Sequence, residues 1–119
     1  MRRASPADVS SLVYLMAEFY AESGYELDRE NARQSFAALL ADEHLGAVWI
    51  LQSEGPETEV EPAGPLVLTL RYAMEYGGMI ACLDDLYVRP PFRNRGLATE
   101  ALADAKQYCL ETGVRAMTV

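Results

Sequence analysis

Two short clusters in this chain carry residue types that do chemistry. The first is "RNRGLAT", residues 93 to 99, where Arg93, Asn94 and Arg95 lead into Gly96, Leu97, Ala98 and Thr99. Together with Arg89 it crowds three of the chain's ten cationic side chains into seven residues, although the formal net charge is −8. The cluster falls between an apolar run and a helical pattern, so it occupies a strand-to-helix turn. A helix start presents unpaired N–H groups and the positive end of the helix dipole, which suits phosphate. Gly96 and the small Ala98 leave the backbone approachable. The arginine forks match phosphate oxygens, and Thr99 adds a hydroxyl. A pyrophosphate site is one reading; a solvated helix start is the other. The spacing is neither the GxGxxG dinucleotide fingerprint nor the GxxxxGK[ST] triphosphate loop.

The second cluster is "LDDL", with Asp84 and Asp85 adjacent inside an otherwise apolar run. Strand side chains alternate, so the pair points to opposite faces unless a bulge intervenes. A carboxylate on a strand is ordinarily just solvated. At a cleft it can instead bind an ammonium group and accept its proton. Alkylammonium groups hold that proton up to a pH of about 10, and a bound amine must lose it before attacking anything.

The elements that position these clusters follow from periodicity. Ser5, Pro6 and Asp8 start a helix whose apolar residues Val9, Leu12, Val13, Met16, Phe19 and Tyr20 share a face; Gly24 ends it. A second helix runs from about Asp28 to before Gly46, with Ala32, Phe36, Leu39 and Leu40 inward. Residues 47–52 form a strand, and 53–65, with three prolines, two glycines and four glutamates, form a solvated loop. Strands over 66–74 and 79–88, joined by "EYGG", make an antiparallel hairpin. A third helix spans about Asn94 to Thr112, with Gly113 as its stop, and 114–119 opens a last strand. That ending predicts a domain cut short on its C-terminal side.

At 119 residues, 50% hydrophobic and 24% charged, the chain reads as one folded domain, 1–119. No apolar run approaches the roughly 18 residues of a membrane span, and no signal-peptide core precedes the first helix. A cytoplasmic protein, away from membranes, is the expectation. The acidity argues against a nucleic-acid partner, serves solubility, and is compatible with a cationic substrate. Cys82, Cys109 and the lone His44 have no metal-ligand spacing, so no metal is expected, and the cysteines read as buried thiols. Neither cysteine has a nearby histidine in sequence, which disfavours an acyl-cysteine route.

The segment "RNRGLA" resembles the Arg/Gln-x-x-Gly-x-Gly/Ala signature of the GNAT superfamily of N-acetyltransferases, and the wider "ACLDDLYVRPPFRNRGLATEAL" is similar to that family's core. The resemblance covers essentially the whole chain, most strongly Leu66 to Thr112. It implies an α/β fold: a central mixed sheet with an antiparallel hairpin, flanked by helices, here lacking its C-terminal elements. It implies acetyl-coenzyme A as co-substrate, its pyrophosphate held by backbone amides from Asn94 to Thr99. The pantetheine arm would lie along Leu86, Tyr87 and Val88, at an edge opened where this strand splays from its parallel neighbour. Arg93 and Arg95 would be local counter-charge. "LDDLYV" is similar to the paired acids of diamine and polyamine acetyltransferases, which makes Asp84 the expected base and Asp85 the amine-holding partner. The acceptor is then a primary amine of a small molecule, attacking directly in a ternary complex. The tyrosine that family members use to protonate the leaving thiolate falls beyond Val119, so no residue takes that role. A non-catalytic or truncated CoA-binding domain and a phosphate-sensing domain are the alternatives, and an exposed last strand would allow a homodimer.

Overall fold

The computed structural model describes residues 1–53 and 61–119. Its strands β1 (Arg2–Arg3), β2 (Gly46–Gln52), β3 (Pro62–Ala73), β4 (Gly78–Leu86) and β5 (Met117–Thr118) form one sheet in chain order. Every neighbouring pair is antiparallel except β4 and β5, which run parallel. The sheet is therefore mixed and built around the β3–β4 hairpin, as expected.

Each face of the sheet is covered. Helices α1 (Val9–Glu22) and α2 (Arg29–Ala41) pack Leu12, Val13, Met16, Ala32 and Phe36 against Val48, Ile50 and Val67. On the other side, α3 (Leu97–Thr112) packs Ala101, Ala105 and Cys109 against Trp49, Leu66, Leu68 and Ala81. The period-two alternation of β2 divides 47, 49 and 51 from 48 and 50 between these two cores. Fully buried aliphatic side chains such as Leu12, Leu66 and Leu68 each contribute roughly 1.5–3 kcal/mol. No described helix is long and apolar enough to cross a membrane.

The structure moves several expected boundaries. The extra strand β1 pairs Arg2 with Ile50 and Arg3 with Trp49, and no apolar pattern announces it. Of the loop expected over 53–65, residues 54–60 lie outside the described ones. From Pro62 onward the chain is already strand, pairing Gly64 with Leu51 and Pro65 with Ile50. The ladder of β4 stops at Leu86 rather than Val88. α3 begins at Leu97, not Asn94, because Asn94 (φ 64°) and Gly96 (φ 77°) are both left-handed and cannot join a right-handed helix.

Candidate active site

The two aspartates meet through a change of register. Along β4, Cys82 pairs with Thr69 and Leu83 with Leu68, after which Asp85 pairs with Val67 and Leu86 with Leu66. Asp84 is left over, so β4 carries a bulge. Its effect on side-chain direction is visible in the packing: Ala81, Leu83, Leu86 and Val88 all lie on the α3 side. Two residues rather than one now separate Leu83 from Leu86, and both aspartates line the same cavity on the α1–α2 side. That cavity, about 300 Å³, has Met16 and Tyr20 of α1 and Asn31, Ser35 and Phe36 of α2 among its walls. Asp84 is exposed and Asp85 half-buried. Burial pushes the Asp85 carboxyl above the usual carboxylate range, and the neighbouring Asp84 charge pushes it further the same way.

Beyond the bulge, β4 offers an open edge. Its pairing with β5 is confined to Ala81–Met117 and Cys82–Thr118, so past Cys82 that edge has no strand partner among the described residues. The Tyr87 N–H donates to the Pro65 carbonyl (3.2 Å) and the Arg89 N–H to the Ala63 carbonyl (2.8 Å), both across to β3. Antiparallel alternation then turns the N–H and C=O groups of Leu86 and Val88 toward the open side. Of the three residues expected along the pantetheine arm, Tyr87 has its N–H committed to β3, and Leu86 and Val88 hold the outward backbone groups.

Nine of the ten expected cofactor-binding residues line a second cavity of about 500 Å³; Arg95 is the exception. At its mouth stands the start of α3. The helix's first bond is from the Glu100 N–H to the Gly96 carbonyl (3.0 Å), and no side chain among the described residues caps the terminus. The N–H groups of Leu97, Ala98 and Thr99 therefore have no intrahelical acceptor, which leaves them available to an anion.

The three arginines of this segment have different surroundings. Arg93 donates to the Glu22 carboxylate (2.7 Å) and, through Nε, to the Val88 carbonyl (2.8 Å). Arg89 likewise donates to Glu18 (3.0 Å) and to the Pro62 carbonyl (3.2 Å). Arg95 lies over the Phe92 ring, 5.8 Å from its centroid, and has no carboxylate partner among the described residues. Tyr87 is buried, its ring stacked on Phe19 at 4.9 Å, and its hydroxyl donates to Glu18 (3.4 Å). Burial, together with Glu18 and Glu22, pushes the Tyr87 hydroxyl up to about 12.

Sequence reasoning did not name Glu18, Glu22, Tyr20, Asn31 or Ser35 as site residues. One signal was present for two of them: Glu18 and Glu22 are four apart on α1, matching the spacing of Arg89 and Arg93. Cys82 and Cys109 are free thiols, Cys109 buried and its thiol pushed up by that burial.

The sequence model of the Acetyltransferase (GNAT) family matches residues 7–119. No curated protein matches the chain. Among solved structures it is similar to the integron cassette protein HFX_CASS3 from the mobile metagenome of Cole Harbour Salt Marsh, at 45% identity and a TM-score of 0.91, covering 99% of this chain and 74% of that one. It shares its fold with a predicted acetyltransferase of Clostridium acetobutylicum solved with acetyl-CoA, at 20% identity and a TM-score of 0.78, covering 98% and 76%. It also shares its fold with an aminoglycoside acetyltransferase, HMB0005, from an uncultured soil metagenomic sample, at 21% identity and a TM-score of 0.69, covering 99% and 76%. With its mixed sheet, its bulged fourth strand and the uncapped start of α3, the chain belongs to the GNAT family of acetyltransferases.

Proposed function

We propose that this protein transfers the acetyl group of acetyl-CoA to a primary amine of a small molecule, by direct attack within a ternary complex. The observation that carries this reading is the placement of Asp84 and Asp85 in one cleft, next to the open β4 edge and the uncapped α3. The amides of Leu97, Ala98 and Thr99 hold the pyrophosphate, with Arg95 as nearby counter-charge. The outward N–H and C=O of Leu86 and the outward N–H of Val88 pair with the amide-bearing pantetheine arm, while the Val88 carbonyl is held by Arg93.

The acceptor arrives as an ammonium ion. The paired carboxylates bind it, and one of them takes a proton, freeing the nitrogen lone pair. That lone pair forms a bond to the thioester carbonyl carbon, and an outward N–H of Leu86 or Val88 stabilises the oxygen that becomes negative. As the intermediate collapses, the nitrogen, cationic since the attack, gives its second proton to solvent, the C–S bond breaks and the thiolate leaves, to be protonated from solvent. Similarity to polyamine acetyltransferases names Asp84 as the base. Burial favours Asp85, because a raised pKa brings a carboxylate nearer to the ideal for proton transfer at neutral pH. The more exposed Asp84 then orients the ammonium. A cavity of about 300 Å³ is at the small end of ligand sites, which supports a small amine.

Calorimetric titration with CoA, followed by thiol release from acetyl-CoA across a panel of diamines, amino sugars and peptide amines, tests this reading. Saturable CoA binding with amine-dependent thiol release is expected. CoA binding with no release for any amine would leave a non-catalytic CoA-binding domain in its place.

A further inference from the structure

The cavity expected to take CoA has at its rim an arginine whose charge is already engaged. Arg93 bridges three places: its terminal nitrogen meets Glu22 of α1 at 2.7 Å, its Nε meets the Val88 carbonyl at 2.8 Å, and its guanidinium carbon lies 5.6 Å from the Tyr87 ring centroid. One helical turn earlier on α1, Glu18 holds Arg89 in the same manner at 3.0 Å. Phe19, between the two glutamates, stacks on Tyr87. The segment from Val88 to Arg93 is thus fastened along α1, and it leads directly into the turn that carries the α3 amides. α1 also faces the other cleft, since Met16 and Tyr20 line the cavity that contains both aspartates.

We infer that Glu22 is a positioning residue for both clefts: through Arg93 it fixes the Val88 carbonyl and the turn before α3 on the cofactor side, and it anchors the α1 wall on the amine side. The inference rests on the CoA-dependent reading of the site. It differs in sign from the simpler idea that Arg93 is a counter-charge for phosphate. If Arg93 served the phosphate directly, Glu22 would be its competitor, and removing the Glu22 charge would release Arg93 and tighten CoA binding. If Glu22 positions the turn through Arg93, removing its charge loosens the turn and weakens CoA binding.

The experiment is calorimetric CoA binding to the wild-type chain, Glu22→Gln and Arg93→Lys, with steady-state KM and kcat for a working amine. The Glu22–Arg93 pair is partly exposed, with side chains 41% and 40% accessible, so these variants are expected to fold, which thermal melts check. Glu22→Gln is expected to weaken CoA binding about three- to fivefold, the scale of one partly exposed ion pair, and to raise the amine KM while kcat changes little. Arg93→Lys keeps the charge but lacks the fork that reaches Glu22 and Val88 together, so it is expected to weaken CoA binding as well. Tighter CoA binding by Glu22→Gln, or unchanged CoA affinity and amine KM despite a lowered Tm, would overturn the inference. A wild-type chain that binds no CoA would overturn the reading beneath it, which is a separate and recognisable result.

Discussion

Asp85 lies opposite Val67 in the β3–β4 ladder, while the next residue on β3, Leu68, lies opposite Leu83. That skipped partner turns Asp84 and Asp85 to the same side of the sheet. Without it, alternation would send one carboxylate toward α3 and into an apolar core. The bulge therefore makes a two-carboxylate cleft possible and keeps a charge out of a place where it would find no partner.

The kinetic consequence separates the two aspartates. Asp85→Asn is expected to lower kcat/KM by about 10²- to 10⁴-fold, the usual contribution of a positioned general base. Asp84→Asn is expected mainly to raise the amine KM, by roughly tenfold or more, the scale of one charge-assisted hydrogen bond. The acid limb of the pH–rate profile should fall at a pH above the ordinary carboxylate value of about 4, because Asp85 binds its proton more tightly than usual. With the carboxylates adjacent, that limb belongs to the pair. If Asp84→Asn alone abolished turnover and flattened the limb, the roles would be reversed.

Gly64 gives a test of the backbone around the open edge. A Cβ built on it would overlap the carbonyl oxygen of Tyr87, with only backbone there to yield. Gly64→Ala is expected to force β3 away from the β4 exit, at a cost of about 1–3 kcal/mol. The Tyr87–Pro65 and Arg89–Ala63 hydrogen bonds are the contacts at risk. Denaturant melts read the stability loss, and CoA titration of the folded fraction should show weakened binding. A wild-type midpoint would mean the strands have more room than their spacing suggests.

The unevenness of what the sequence disclosed has a physical source. Helical faces such as Leu12, Val13 and Met16, and strands such as residues 47–52, are local patterns, and the turn before α3 was marked by Gly96. Gly64 and Pro65 are residue types that break most strands and so predict a loop; here their neighbours across β2 and β4 hold them in β3. β1 is two arginines paired with β2 through backbone, with the Arg3 guanidinium over the Trp49 ring at 5.0 Å, a long-range contact that no local pattern reports. The bulge had a faint local mark: Ala81, Leu83, Leu86 and Val88 break the period of two at "LDDL". The Glu22–Arg93 contact spans 71 residues and needs the fold itself.

The N-terminal pair Arg2–Asp8 predicts an acid sensitivity. Arg2 donates two hydrogen bonds to the Asp8 carboxylate, at 2.9 and 2.8 Å, and the Ser5 N–H donates another at 2.7 Å. The Arg2 bonds first, and then the Ser5 N–H, hold the Asp8 carboxyl well below the usual carboxylate range. A depressed folded-state pKa stabilises the fold above the unfolded value of about 4, and that contribution is lost as pH falls through the folded value. Asp8→Ala is expected to cost roughly 1–2 kcal/mol at pH 7, from a cap and a partly exposed ion pair. The difference from wild type should shrink in melts carried to the lowest pH at which both fold.

Asp85 predicts the opposite slope, and with it a conflict between stability and activity. Its folded-state pKa is raised, so the protonated form suits the fold better than the charged one. The stability tied to that proton is fully present below the unfolded value of about 4, and it is lost as pH rises through the folded value. The charged form of wild type therefore carries a half-buried charge beside a like charge. Asp85→Asn removes that charge at nearly the same volume, and it is expected to raise Tm at pH 7.5 while lowering turnover. At acid pH, where Asp85 itself is neutral, the two melts should converge. Tm rising while kcat/KM falls would place Asp85 among residues kept for chemistry at some expense of stability. A lower Tm at neutral pH would mean that the Asp85 charge has a favourable partner in the cleft, and the case for its role as base would fail with it.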